Sequence, residues 1–438
     1  MNPYRFENQN REIVLSRYNM PTPWMNYLSN GTLHAMISQA GGGVAWYKSP
    51  QIWRINHYRF FHLPTKGWEP VTRIHSDNHL WLVMDAYHIA LEEGNVSYLD
   101  TQAPYFDGGS GTIWEHIKQS IRFTTQNMGA HGFPLMLSSD WNDMLYKVCR
   151  KGKGESIWTG MQFAVALRMM QELAERKGEP EFAEECKALY ARQQELCRTL
   201  AWDGAWFRRC ITDEGVFIGS AKEPQAKIWL NTQSWSVLSG LGTQEQQIQA
   251  MDSVKEYLDT DLGIKKIHPA MTTDYPTKEE NLTCYNKGCG ENGSVFCHAN
   301  TWAIIAECML KRPENAWKYY HQLLPMVAQK TAGAERYKAE PYVYSSNIFG
   351  PESDKFGLAN VSWLTGTAAW MYLAATQYLL GVRPTWDGLE IDPCLPEQLL
   401  PAKVTRVFRG CRYEITITKN QKLLLPHVDG RKQLSVQV

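Results

Sequence analysis

An excess of charge of either sign is missing from this chain: 45 Lys and Arg residues balance 45 Asp and Glu over 438 residues. That balance argues against a nucleic-acid or membrane-surface protein, since either ordinarily carries a basic excess. Also missing is any apolar run of about 18 residues, the length that reads as a membrane span. The opening "MNPYRFENQNREIV" has no apolar signal core, so no secretory leader is expected. C-x-x-C pairs are absent. The ten cysteines are scattered, and Cys284, Cys289, Cys297 and His298 match no usual zinc finger or ribbon spacing. We therefore expect no metal. Several cysteines fall in apolar, helix-like positions, as buried free thiols do. The expected location is the cytoplasm, with thiols reduced.

Aromatic residues, in contrast, are abundant: 17 Trp and 21 Tyr. Core packing accounts for most of them, and carbohydrate platforms use the same side chains. Residues 1–70 read as β, with short mixed runs broken by Gly41-Gly42-Gly43. Residues 71–383 read as helical hairpins. "NHLWLVMDAYHIALEEGNVSYLD" is a helix ending near Gly94, with a second element starting at once. The same design recurs downstream, where Gly178 stops one helix and Pro180 suits the first turn of the next. Such repetition predicts a mainly α fold, an α/α toroid. Residues 384–438 alternate as strands, with turns at Arg409-Gly410 and Asp429-Gly430, and form a small β cap.

Four loop-like clusters interrupt the helical region. They are Asp140-Trp141-Asn142-Asp143; "CGENGSVFCHANTW", with Glu291 and His298; "ERYKAEPYVYSSNIFG", with Glu340 and three tyrosines; and "NVSWLTGTAAWMY", where Thr365-Gly366 opens an apolar helix. Each has an ordinary reading. Asp140 or Asn142 caps a helix, His298 is a satisfied core histidine, Glu340-Pro341 is turn chemistry, and Thr365 is a cap. The glycine-rich stretch Gly108–Thr112 lacks a P-loop lysine and reads as a turn and cap. Taken together, loops at one end of a toroid converge on its cavity. A carboxylic acid, an imidazole, a hydroxyl with a backbone N–H and aromatic walls would then meet there. That set can hold a sugar, protonate a leaving oxygen and bind an anion.

The stretches "DWND", "GENGSVFCHANTW", "KAEPYVYSSNIFGP", "SWLTGTAAWM", "LLGVRPTWDGLEIDPCLP" and "KVTRVFRGCRYEI" resemble, in order, the inverting glycoside phosphorylases of glycoside hydrolase family 94. Cellobiose, cellodextrin and chitobiose phosphorylases are of this type. The resemblance implies an N-terminal β-sandwich, an (α/α)6 toroid and a C-terminal β domain. It implies reversible phosphorolysis of a β-glucosidic disaccharide to an α-sugar 1-phosphate and a free sugar, in a homodimer. Inorganic phosphate is the co-substrate, and no cofactor is needed. By the same resemblance Asp143 is the general acid. Trp141 and Glu291 bind the sugar, and His298, Thr365 and Gly366 hold phosphate.

A phosphorylase needs only one catalytic carboxyl, because phosphate is already an anionic nucleophile. An inverting hydrolase needs a second, roughly 6.5–9.5 Å away, to activate water. On this reading Asp140 supports the loop. Asp143 must act protonated, which calls for partial burial or a neighbouring anion. The chain departs from the family in lacking most of the sandwich, the first toroid helices and an Arg-Asp…Gln-Asp segment that supplies a phosphate-binding arginine. Ser346 stands where a phosphate-contacting glutamine is common. Two other readings compete: a non-catalytic β-glucan-binding remnant, and an inverting hydrolase.

Overall fold

The computed structural model describes residues 4–7, 9, 12–16, 20–22, 24–38, 43–47, 74–105, 108–276, 281–363, 365–428, 430 and 432–438. Gly41, Gly42, Asp429 and the boundary expected between residues 70 and 71 lie outside them. Helices dominate the described residues: α1 (Asn78–Glu93), α2 (Ile113–Gln126), α3 (Ile157–Lys177), α4 (Pro180–Leu196), α5 (Leu230–Ser239), α6 (Gln244–Tyr257), α7 (Cys297–Met309), α8 (Pro313–Leu323), α9 (Pro325–Ala332), α10 (Ala334–Tyr337) and α11 (Thr367–Leu373). The sheets are small, of two or three strands each.

Local chemistry explains the helix ends. Gly94 and Gly178 each take φ of 75°, a left-handed conformation that suits glycine, and close α1 and α3. Pro180 occupies the first turn of α4. Thr112 caps α2 by a reciprocal pair of bonds with Glu115, the ordinary reading of the glycine-rich stretch before it.

Successive helices pair, α1 with α2, α3 with α4, α5 with α6 and α7 with α8. The first member of each pair packs on the next pair's first member, and α7 packs on α11. This inner row is the apolar interior: α5 is buried at nearly every position, whereas its outer companion α6 buries one face. Each inner helix gives one tryptophan to a shared cluster: Trp81, Trp158, Trp235, Trp302 and Trp370. The row curls far enough for Trp81 of α1 to meet Trp370 of α11, with ring centroids 6.0 Å apart.

Beyond the helices, the antiparallel hairpin Ala402–Phe408/Cys411–Ile417 turns at Arg409-Gly410, and Gln433–Gln437 joins it in parallel. Arg409 locks this cap to the helical body. Its guanidinium donates to Leu91 O and Glu92 O, at the carbonyl end of α1, where a cation is favoured. At the other terminus, strands Met25–Ser29, Leu33–Ser38 and Gly43–Tyr47 form an antiparallel sheet. It is seated on the loop after α10: Trp24 Nε1 donates to Lys338 O, and Met25 N donates to a Glu340 oxygen, each at 2.9 Å.

Candidate active site

Asp140 to Asp143 run with alternate residues facing opposite ways. Asp140 and Asn142 are fully buried, Asp140 at the floor of a cavity that Trp141 and Asp143 also line. The buried pair is anchored by Arg209, itself fully buried. One guanidinium nitrogen lies 2.7 and 2.6 Å from the two Asp140 oxygens and donates to Asn142 Oδ1 at 3.0 Å. Ser156 Oγ and Asn142 N also donate to Asp140. Thus Asp140 is neither a helix cap nor a solvent-facing acid; its lone pairs are committed to holding the loop.

The cavity has a volume of about 300 Å³. Asp143, Trp141, Glu291, His298, Thr365 and Gly366 all line it, together with His75, Asp77, Asn78, Trp81, Asp140, Phe296 and Ser346. Three of the four loop clusters therefore meet as the sequence suggests. The tyrosine-rich loop contributes only Ser346. Its Glu340 faces away, accepting bonds from Met25 N and Trp363 Nε1.

Glu291 is buried and bridges the site. Its Oε2 accepts from Met144 N at 3.0 Å, beside the acid-bearing turn, and its Oε1 lies 3.1 Å from Lys266 Nζ. Lys266 is fully buried, with its ammonium 4.5 Å from the centre of the Trp141 ring and 4.2 Å from that of Phe296. The Lys266–Glu291 contact is one of charges, with angles outside hydrogen-bonding range. Burial lowers the lysine pKa, and Glu291 opposes the shift. Neither Lys266 nor Arg209 stands out in the sequence, where each is the second member of a basic pair, Lys265-Lys266 and Arg208-Arg209, just before a two-residue strand.

His298 presses against Trp141 and Trp302, each with ring centroids 5.0 Å away. Its Nε2 is buried without a hydrogen-bond partner among the described residues, so it is not a satisfied core histidine. Burial, helped by the nearby Lys266 charge, depresses its pKa to about 4. The imidazole is therefore neutral near pH 7. Gly366 lies against this ring: a Cβ there would come within 2.8 Å of His298 Cε1. Thr365 Oγ1 accepts from Thr367 N at 3.1 Å, at the start of α11.

Asp143 departs from expectation in one respect. Its side chain is 78% exposed, at the cavity mouth, with His75 Nε2 3.6 Å from Oδ1. Asp77, assigned no role from the sequence, is another buried carboxyl of the cavity. Burial raises its pKa to about 7, against the opposing bond from Trp81 and with the nearby Asp140 charge adding to it.

A family model described as "Glycosyl hydrolase 94 superfamily, catalytic domain" matches residues 31–381. The chain belongs to this family. Among glycosyl hydrolase 94 relatives, the solabiose phosphorylase of Paenibacillus borealis is 35% identical over 359 residues, covering 82% of this chain and 46% of that protein. The N,N'-diacetylchitobiose phosphorylase of Vibrio proteolyticus is 36% identical over 345 residues, covering 78% of this chain and 42% of that one. The chain thus spans less than half the length of these curated relatives. Among solved structures, the GH78 family rhamnosidase of Bacillus SP. GL1 superposes with a TM-score of 0.53 over 84% of this chain and 34% of that one, at 13% identity. That likeness is one of fold alone.

Proposed function

We propose that this glycosyl hydrolase 94 member carries out reversible, inverting phosphorolysis of a cellobiose-like β-glucosidic disaccharide, giving α-glucose 1-phosphate and a free sugar. The observation that carries the reading is the meeting of Asp143, Trp141, Glu291, His298, Thr365 and Gly366 in one sugar-sized cavity. In this scheme the sugar lies against Trp141 and is held by Glu291. Asp143 gives its proton to the leaving oxygen, and phosphate attacks the anomeric carbon from the opposite face. Phosphate takes the His298 N–H, the Thr365 hydroxyl and the backbone N–H of Gly366. Phosphate binding is weak, since His298 is neutral and no Lys or Arg lines the cavity among the described residues.

The inner row reads as five members of an incomplete (α/α)6 toroid. Its open side exposes Leu82, Ile89 and Tyr372, which a second copy would cover in a homodimer. Ten free cysteines fit a reducing compartment, the cytoplasm.

The absence of a lining Lys or Arg among the described residues favours a second reading, a β-glucan-binding protein without turnover. Incubation with cellobiose and phosphate, and then with a panel of β-glucobioses, separates the two. Phosphorolysis predicts glucose 1-phosphate. Sugar binding by calorimetry that is indifferent to phosphate, with no product, supports the binding protein. Release of glucose without phosphate would point to a hydrolase.

A further inference from the structure

Asp77 sits at the N-terminal cap of α1, where an Asp side chain ordinarily accepts from the first free backbone N–H groups. Here it makes no such bond. The carboxyl instead turns toward the cavity, which it lines. It is 2% exposed. Oδ2 accepts from Trp81 Nε1 at 2.9 Å. Oδ1 is buried and has no partner among the described residues. Two costs coincide at this residue: a forgone cap and an orphaned acceptor. Structure alone recovers neither. A carboxyl oxygen with an unused lone pair, beside the indoles of Trp81 and Trp141 in a cavity, is arranged for a ligand that donates a hydrogen bond and offers an apolar face. A pyranose does both.

We propose that Asp77 is a substrate-binding residue, whose Oδ1 accepts one hydroxyl of the sugar held in this cavity. The proposal rests on the cavity being a sugar site, and adds a recognition residue to those proposed above. The nearest amide donor does not reach it: Gln162 Nε2 is spent on the Asp77 backbone carbonyl at 3.4 Å. A sugar hydroxyl therefore supplies the donor that the protein withholds.

The test is titration calorimetry with D-glucose and its monodeoxy series, on the parent, Asp77→Ala and Asp77→Asn, with thermal unfolding followed in parallel. The parent is expected to bind one deoxysugar roughly 3- to 10-fold more weakly than glucose, the range for an ordinary hydrogen bond. Asp77→Ala is expected to bind glucose about that weakly, and no longer to distinguish it from that deoxysugar. Asp77→Asn, which keeps an oxygen acceptor, retains part of the discrimination. A structural role through the Trp81 bond would weaken all sugars alike and leave the discrimination intact, and that result overturns the proposal. If the parent binds glucose but treats the whole series equally, the Asp77 assignment falls while the sugar site stands. If the parent binds none of them, the sugar site itself falls, and the assignment with it.

Discussion

Two aspartates three positions apart have opposite surroundings, and this difference makes separable predictions. Asp143 is exposed at the cavity mouth, so Asp143→Asn should leave thermal stability unchanged and reduce phosphorolysis by about 10²–10⁴-fold, the usual contribution of a positioned acid. Asp140 is sealed against Arg209, so Asp140→Asn leaves a buried guanidinium without its counter-charge. It should cost about 3–5 kcal/mol of stability, read as a fall in denaturation midpoint. The reverse pattern, activity lost at Asp140 and kept at Asp143, would exchange the roles. A pH dependence follows from Asp77 and Glu307, whose carboxyls burial raises to about 7. A raised carboxyl pKa means the folded state holds the proton longer than the unfolded one. Stability from these groups is therefore full at low pH and lost as pH climbs from about 4 to about 7. Thermal unfolding should show Asp77→Asn gaining on the parent between about pH 4 and about pH 7; a constant difference would contradict the shift.

At the level of elements, the chemistry hangs on three loops entering one cavity, and the loop–helix junction at Gly366 is the most sensitive. Gly366→Ala introduces no forbidden backbone angle, since φ is −74°. Its methyl must displace the His298 ring, which sits 2.8 Å from the ideal Cβ position. The expected outcome is a raised KM for phosphate with the KM for sugar nearly unchanged; equal effects on both would place phosphate elsewhere. His298→Ala should act in the same direction. The hairpin boundaries were legible in sequence because Gly94, Gly178 and Pro180 act within a turn of their own residues. The Asp-Trp-Asn-Asp segment was legible as a site but not as an alternation, because what pins it, Arg209, lies 69 residues on. Lys266 and the five inner tryptophans escaped for the same reason: each gains its meaning only from partners on other hairpins. Glu340 was misleading, since its partner Met25 is 315 residues away. Asp77 drew no reading because its carboxyl gains meaning only from the cavity it lines.

For the whole molecule, the open side of the helical row carries the prediction of assembly. Leu82, Ile89 and Tyr372 are exposed apolar side chains at the two ends of that row. If a second copy covers them, sedimentation should give a dimer, and Tyr372→Glu with Leu82→Glu should give a monomer; a parent that sediments as a monomer rules the dimer out. The central claim is tested most directly by one assay: glucose 1-phosphate formed from cellobiose, or another β-glucobiose, as a function of phosphate. The account predicts product that rises with phosphate well beyond the range of a tight anion site, and disappears in Asp143→Asn. No product from any β-glucobiose at any phosphate concentration, or glucose released at a rate indifferent to phosphate, would contradict it.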